Sequence, residues 1–224
     1  MFVKQLTLPK KRIIFHQTKP LTMERQKIRI LKIFERGVNQ QDRVILDYES
    51  LEWLVGVLKL EGKKVGYTSG VYDLFHVGHA KYLEKSKEKC DVLIVAIDSD
   101  ELVQSRKGPD RPIVKLEERI DILVRNRSVD IITVRNVEDD PFMLIKKIKP
   151  NVLIFSETTK DTANFIAEMK EAYKGDVDDI IVFKPQATTS TTARIRKLTI
   201  DGSKELAEKI NKVVSEHFKE GGDS

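Results

Sequence analysis

Two histidines three positions apart, His76 and His79, form the most distinctive chemical pattern in this 224-residue sequence. They follow a glycine-punctuated turn, residues 66–70, and lie at the start of a helix predicted over residues 79–87. At this spacing both imidazoles lie on one face of the first helical turn. The unpaired backbone N–H groups of such a turn attract anions, and imidazole N–H groups add donors for the same anion. The pattern therefore predicts a phosphate site.

Two other interpretations of the histidine pair remain open. The histidines could be partly buried polar groups of a helix, or they could bind a metal, since His and Asp are common ligands. The first is disfavoured because two of the four histidines fall at this one turn, behind an apolar run and two glycines. The spacing of three rather than four, and the lack of a nearby third ligand with zinc-like spacing, disfavour the second.

Composition indicates a globular protein with one domain, or one domain and an appendage. The chain is 40% hydrophobic and 33% charged. No apolar run approaches the roughly 20 residues that span a bilayer, and the N-terminus lacks the apolar core of a signal peptide. Cys90 is the only cysteine, which excludes an intramolecular disulfide. We therefore expect a reducing compartment and a cytoplasmic location.

The positive charge is concentrated near the N-terminus. Residues 1–43 contain eleven Lys or Arg and three Asp or Glu. Such a segment could contact nucleic acid or an anionic membrane, or it could solvate an amphipathic helix that the pattern predicts over residues 24–36. The segment lacks aromatic interleaving of the kind that stacks bases, which favours the helix, so nucleic acid is not expected as a partner. Whether translation starts at Met1 or Met23 stays open.

Strand and helix patterns alternate from residue 64 onward. Five strands separated by helices predict an α/β protein, a Rossmann-like five-stranded parallel sheet flanked by helices, with an N-terminal helical extension. The predicted strands are 65–68, 91–97, 131–134, 152–155 and 179–183. The predicted organisation is a basic extension with two helices (1–62), the sheet domain (63–200), and a C-terminal helix with a disordered tail (201–224). Ligands of such sheets bind at the carboxyl ends of the strands, which is where the two histidines fall.

Residues 66–79 resemble the motif of the H-x-G-H nucleotidyltransferases, a superfamily of cytidylyltransferases and adenylyltransferases. From about residue 45 to 198 the order of features resembles the branch with glycerol-3-phosphate cytidylyltransferase and the adenylyltransferase domain of ADP-heptose synthase. The resemblance implies that residues 63–200 transfer a nucleoside monophosphate, preferably AMP, from a triphosphate to a small phosphorylated acceptor such as a sugar phosphate. Pyrophosphate would be released. The nucleophile of this reaction is already an anion, so catalysis requires positioning and charge neutralisation.

The resemblance also implies roles for the residues of the motif. His76 and His79 bind the triphosphate and stabilise the transition state. Asp73 orients the loop. The other predicted nucleotide-binding residues of this segment are Thr68, Ser69, Gly70 and Gly78.

Two later clusters match the same branch. Residues 105–113 resemble a mobile loop that brings cations to both substrates, with Lys107 as the phosphate contact and Arg106 or Arg111 assisting. Arg119, in the following helix, either reaches the nucleotide or holds the loop. Ser190, Thr191 and Thr192 resemble the Ser-Thr-Thr segment that opens the last helix and binds triphosphate, where a hydroxyl cap and free amides face an anion.

Two departures from the family pattern leave the substrates open. Residues 184–189 lack the Arg-Thr-Glu-Gly and Gly-Arg approaches of the relatives, and residues 156–161 lack their Gly and Asp. The alternatives are a CTP-dependent enzyme for glycerol-3-phosphate or another alcohol phosphate, and a non-catalytic nucleotide-binding regulator. Mg²⁺ is expected as cofactor, bound through the triphosphate and not by protein ligands. Relatives often pair, so a homodimer is one expectation.

Overall fold

A computed structural model describes residues 40–139, 143–157, 162–186, 199, 202–203 and 206–211. Among the described residues, a short 3-10 turn, Gln40–Arg43, precedes the strands and helices of the sheet domain. The strands are β1 (Val65–Gly70), β2 (Val92–Asp98), β3 (Ile131–Arg135), β4 (Val152–Ser156) and β5 (Asp179–Phe183). The helices are α1 (Tyr48–Leu60), α2 (Val77–Lys87), α3 (Asp100–Lys107), α4 (Leu116–Leu123), α5 (Met143–Ile148) and α6 (Thr162–Ala172). The helix predicted over residues 24–36 lies outside the described residues.

The five strands form one parallel sheet in the order β3-β2-β1-β4-β5. This confirms the five-stranded parallel sheet that the sequence predicts. The chain runs outward from β1 to β3 and then crosses to the other side of β1 for β4 and β5. The carboxyl ends of β1 and β4 therefore border the topological switch point, the usual ligand crevice of such sheets. The loop after β1, which leads to His76 and then to His79 in the first turn of α2, begins at this crevice.

Alternate side chains of the strands build two apolar layers, one on each face of the sheet. One layer packs against α1, α5 and α6 and includes Leu54, Leu144 and Met169. The other packs against α2 and α4 and includes Leu83 and Leu123. Every residue of β2 is buried, as expected for a central strand covered on both faces. The sheet is thus a rigid base for the loops at its carboxyl edge.

α1 belongs to the first of these layers, although the sequence analysis assigns it to the extension. Asp47 caps the helix, since its carboxylate accepts the N–H groups of Glu49 and Ser50. The preceding chain pairs with the edge strand, with the Ile45 N–H donating to the Ile132 carbonyl at 2.8 Å. Residues 44–60 therefore contribute to the same core as the sheet, while the predicted domain limits stay a prediction.

Gly66 is required in β1 by close packing. A Cβ built there would lie 2.5 Å from Cys90 Sγ. We expect Gly66→Ala to lower the free energy of unfolding by about 1–3 kcal/mol, because a methyl group overpacks this contact. Gly56, in the exposed face of α1, has nothing within 4 Å of its Cβ position. Gly56→Ala should instead stabilise the protein by up to about 1 kcal/mol.

Urea denaturation of the two variants checks this pair of expectations. Cys90→Ala should restore part of the stability lost in Gly66→Ala, because it removes the sulfur that the new methyl group meets. A Gly66→Ala protein as stable as the wild type would show that the contact does not explain the glycine.

Candidate functional site

The loop between β1 and α2 has an unusual backbone. Tyr72 and Leu74 have φ angles of 54° and 45°, in the left-handed region that non-glycine residues rarely adopt. The buried Tyr72 ring covers Gly70, where a Cβ would lie 3.2 Å from Tyr72 Cε2. Strained conformations of this kind persist where surrounding packing imposes them, and they cluster at functional sites. Here they turn the chain back over the end of β1.

His76 caps α2. Its Nδ1 accepts the Gly78 N–H at 3.0 Å, and the helix begins at Val77. The sequence predicts that this helix begins at residue 79, but it begins two residues earlier, at Val77. The earlier start is possible because the His76 side chain accepts the Gly78 N–H, which has no backbone partner in the first turn. An Nδ1 that accepts a hydrogen bond leaves the proton of the neutral ring on Nε2. His76 therefore presents an Nε2–H donor.

The two imidazoles lie side by side, as the spacing predicts. Their centroids are 3.9 Å apart and their planes differ by 20°. His79 also contacts the rings of Tyr72 and Phe75, each with a centroid distance of 5.5 Å. Its Nδ1 is buried without a hydrogen-bond partner among the described residues. Aromatic packing thus holds the His79 imidazole in place and leaves its Nδ1 able to form a further hydrogen bond.

Burial lowers the pKa of His79 to about 4, and the charges of His76 and Lys107 lower it further against the opposing effect of Asp73. His79 is therefore neutral at pH 7 in the free protein. A triphosphate placed beside it would favour the imidazolium, so binding should be accompanied by proton uptake.

The lowered pKa of His79 predicts how stability depends on pH. The pKa is about 4 in the folded state, against 6.5 ordinarily. Between pH 6.5 and pH 4 the unfolded chain binds a proton at His79 more readily than the folded protein does. The part of the unfolding free energy that depends on neutral His79 is therefore fully present above about pH 6.5 and is lost as the pH falls towards 4. Denaturation between pH 7 and pH 4 should show a steeper loss of stability for the wild type than for His79→Gln. Parallel curves for the two proteins would contradict the buried, neutral state of His79.

Asp73 joins the histidine loop to the segment after α3. Its buried carboxylate accepts the N–H groups of Ile113 and Val114 at 3.1 and 2.9 Å, and Arg111 Nη2 lies 2.8 Å from it. Although desolvation opposes ionisation, these hydrogen bonds and Arg111 together keep the pKa of Asp73 below its usual value. The charged carboxylate joins the two loops, while the orienting role that the resemblance implies stays a prediction.

Arg119 lies beneath both loops. Its side chain is fully buried and donates from Nη1 to the Val71 carbonyl at 2.6 Å, and from Nε to the Val114 carbonyl at 3.0 Å. Nη2 forms an ion pair with Asp100 at 2.7 Å. The sequence leaves two roles open for Arg119. Its buried position supports the role of holding the loops, while a direct contact with the nucleotide stays a prediction.

Arg106 and Lys107 lie in the last turn of a helix, not in the loop that the sequence predicts from residue 105. Ser99 caps this helix by accepting the Leu102 N–H, and Gly108, with a φ of 93°, follows its last residue. Lys107 keeps contact with solvent, yet desolvation and repulsion by Arg111 lower its pKa. It lies close enough to His79 for its charge to act on that ring. Lys107 therefore shares an electrostatic environment with His79.

Three carboxylates of this region form ion pairs with arginines. Asp73 pairs with Arg111, Asp100 with Arg119, and Asp98 with Arg135. Within the described ranges, no group of three or more His, Cys, Asp or Glu side chains could hold a metal ion.

The other residues that the sequence predicts for nucleotide binding lie in the core, at the end of β1, in the first turn of α2, or outside the described residues. Thr68 is buried, and its Oγ1 lies 2.6 Å from the Tyr82 hydroxyl, which donates to the Ile154 carbonyl at 3.1 Å. Its side chain therefore ties β1 to α2 and β4. Ser69 and Gly70 end β1 beside the histidine loop, and Gly78 lies in the first turn of α2. Ser190, Thr191 and Thr192 lie outside the described residues.

Sequence reasoning missed Asp98, Arg135 and Tyr82. A signal for Asp98 existed, since it directly follows the apolar run of β2 at the edge where ligands bind. Arg135 gave the same signal, because it directly follows the predicted strand 131–134, whereas Tyr82 gave none, because its partner Thr68 is 14 residues away. None of the described helices has the length and apolar content that a membrane crossing requires.

The fold and this site define a nucleotide-binding α/β protein, and comparison with known sequences identifies its class. The cytidylyltransferase-like family model matches residues 67–209. The chain belongs to this family, which confirms the superfamily that the sequence predicts.

Individual relatives show which members of the family the chain is similar to. The bifunctional protein HldE of a Nitratiruptor species is 39% identical over 123 residues, which cover 54% of this chain and 26% of that protein. HldE of Syntrophotalea carbinolica is 34% identical over 147 residues, which cover 66% of this chain and 30% of the relative. The chain thus spans less than a third of the length of either. A lipopolysaccharide core biosynthesis protein from Thermoplasma volcanium aligns with a TM-score of 0.46 and 24% identity, covering 55% of this chain and 97% of that one.

Proposed function

We propose that the protein is a nucleotidyltransferase that transfers AMP from ATP to a small phosphorylated acceptor, such as a sugar phosphate, and releases pyrophosphate. The observation that carries the proposal is the stacked pair His76 and His79 at the start of α2, at the carboxyl end of β1, with the charge of Lys107 acting on His79. Imidazole N–H groups, helix amides and an ammonium group converge where the fold binds its ligand.

In the proposed reaction, a phosphate oxygen of the acceptor attacks the α-phosphorus of the triphosphate. The bond from that phosphorus to the bridging oxygen breaks, and pyrophosphate leaves with the electron pair. The incoming oxygen is already ionised, so the site needs no strong base. His76, through Nε2–H, and His79 stabilise negative charge on the phosphates, and Lys107 neutralises charge as the phosphates approach.

Mg²⁺ belongs to the proposal as the cofactor that bridges triphosphate oxygens and reduces their charge. Asp73, Asp98 and Asp100 already have arginine partners, so we expect the triphosphate itself to carry the ion. Removal of divalent cations with a chelator should therefore abolish turnover.

ATP is the preferred donor because residues 107–113 resemble the adenylyltransferase branch, and the HldE relatives support the same branch. CTP, with glycerol-3-phosphate or another alcohol phosphate, is the second candidate, favoured by the match to the cytidylyltransferase-like family. A cytoplasmic location and a homodimeric state are further parts of the proposal.

The experiment that tests the proposal is pyrophosphate release with Mg²⁺, with each of the four ribonucleoside triphosphates against a panel of sugar, polyol and alcohol phosphates. Release with ATP and one sugar phosphate is the expected result. Release with CTP alone would replace the preferred donor. Triphosphate binding without release across the panel would favour a nucleotide-binding regulator.

Lys107→Ala provides a more specific check. We expect the KM for the triphosphate to rise by about tenfold or more, since one cation leaves the phosphate site, with a change in unfolding free energy of less than about 0.5 kcal/mol. Steady-state kinetics and urea denaturation measure the two effects. Lys85→Ala, in the last turn of α2, is the matched control. A Lys107→Ala enzyme with wild-type KM would remove Lys107 from the phosphate site.

A further inference from the structure

A buried ion pair closes the carboxyl edge of the sheet beside the phosphate site. Asp98 and Arg135 are the last residues of β2 and β3 and are paired in register. Arg135 donates to Asp98 Oδ1 from Nε at 2.9 Å and from Nη2 at 2.6 Å, and the Arg135 and Asp98 side chains are 13% and 4% exposed. Because desolvation offsets most of the attraction in such a pair, stability alone explains its presence poorly.

The second oxygen of Asp98 faces the last turn of α3. Asp98 Oδ2 lies 3.6 Å from Arg106 Nη1. The charge of Asp98 also acts on Lys107, the next residue, and raises its pKa against the effects of burial and Arg111. Asp98 thus connects the edge of the sheet, through Arg135, to the two cations that end α3.

We propose that Asp98, held in place by Arg135, is a positioning residue that keeps Arg106 and Lys107 at the carboxyl edge for the phosphates of the substrates. The inference rests on the proposed function because it requires that Arg106 and Lys107 bind phosphates of the substrates. Neither member of the pair needs to touch substrate. Asp98 acts through Arg106 and Lys107, and Arg135 acts through Asp98.

The charges around Lys107 predict how each substitution of the pair should shift its pKa. Arg111 and Arg106 repel its ammonium group, Asp98 and Asp73 attract it, and His79 lies within reach of its charge. Asp98→Asn removes one attraction, so the pKa of Lys107 should fall. Arg135→Gln removes a cation and leaves Asp98 less compensated, so the pKa should rise. The two shifts show whether both charges act on Lys107, and the kinetics below test whether that action matters for the reaction.

An NMR titration tests the signs without relying on activity. Lysines are reductively methylated with ¹³C-formaldehyde, and the Lys107 signal is assigned by its loss in Lys107→Arg. Arg125→Gln, which breaks the exposed Arg125–Asp121 pair of α4, is the matched control and should leave the titration unchanged. Opposite shifts for Asp98→Asn and Arg135→Gln are expected. No shift, or shifts of the same sign, would overturn the inference.

Kinetics measures the consequence for the reaction. Asp98→Asn should lower kcat/KM for the triphosphate by roughly tenfold, as expected for one lost charge interaction near a binding site. Asp98→Glu, which keeps the charge, should recover part of that loss, and Arg125→Gln should match the wild type. Normal kcat/KM in Asp98→Asn would overturn the positioning role.

The two experiments also separate this inference from the proposed function. A wild-type protein that releases no pyrophosphate with any substrate would defeat the proposed function, while the titration still decides whether Asp98 controls Lys107. If Asp98→Asn does not fold, the sign of the shift in Arg135→Gln decides alone. A fall in the pKa of Lys107 in that variant would overturn the inference.

Discussion

His79→Ala should lower turnover by two or more orders of magnitude, which corresponds to about 3 kcal/mol of additional barrier. The variant removes a donor held against His76, Tyr72 and Phe75 at the start of α2. Such a group is aligned before the substrate arrives, so it stabilises developing charge without reorganisation. The loss should appear mainly in kcat, because charge develops between ground state and transition state.

Stability and a neighbouring substitution provide the controls for this result. His79 is only partly buried and its Nδ1 has no partner among the described residues, so the thermal transition should change little. Val77→Ala, between the two histidines and 54% exposed, should keep wild-type turnover. Near-normal turnover in His79→Ala, with the fold intact, would remove this residue from the mechanism.

The second large effect is expected in stability. Arg119→Met keeps the length of the side chain and removes its charge, which leaves Asp100 and the carbonyl groups of Val71 and Val114 without their donor. Breaking a buried ion pair by removing one partner costs about 3–5 kcal/mol. Urea denaturation should show a loss of this size.

Arg125→Met is the matched control for Arg119→Met, because Arg125 follows the same helix and its side chain is 57% exposed. We expect a change of less than about 0.5 kcal/mol there. Arg119→Met should also lower activity, since both loops rest on this guanidinium group. A small stability loss accompanied by a large rise in the KM for the triphosphate would instead assign Arg119 to direct nucleotide contact.

The strands and most helices were predictable because their signals are local. The apolar run over residues 92–97, which the structure places in β2, indicates a strand buried on both faces. α3 was missed because its buried positions are few, Leu102 and Val103, and the segment is rich in charged residues. The helix is stabilised by its Ser99 cap and by the packing of those two side chains, which the hydrophobic pattern represents weakly.

The candidate site, too, was predictable only where its signals are local. The spacing of His76 and His79 predicted two rings on one face, and the structure places their centroids 3.9 Å apart. The spacing could not show that His76 caps α2 through Nδ1, or that aromatic neighbours surround His79 and make it neutral. Those properties depend on the backbone of the loop and on burial, which arise only when the loop packs over the end of β1.

The sequence by itself determined the parallel sheet, the position of the phosphate-binding turn, and the family that both imply, since each depends on residue types and short-range spacing. The tertiary structure alone decided which charges meet. Asp73 pairs with Arg111, Asp98 with Arg135, and Asp100 with Arg119, across 38, 37 and 19 positions of the sequence. Ion pairs have no sequence period, and their partners are chosen by which strand and helix ends the packed sheet brings together at one edge.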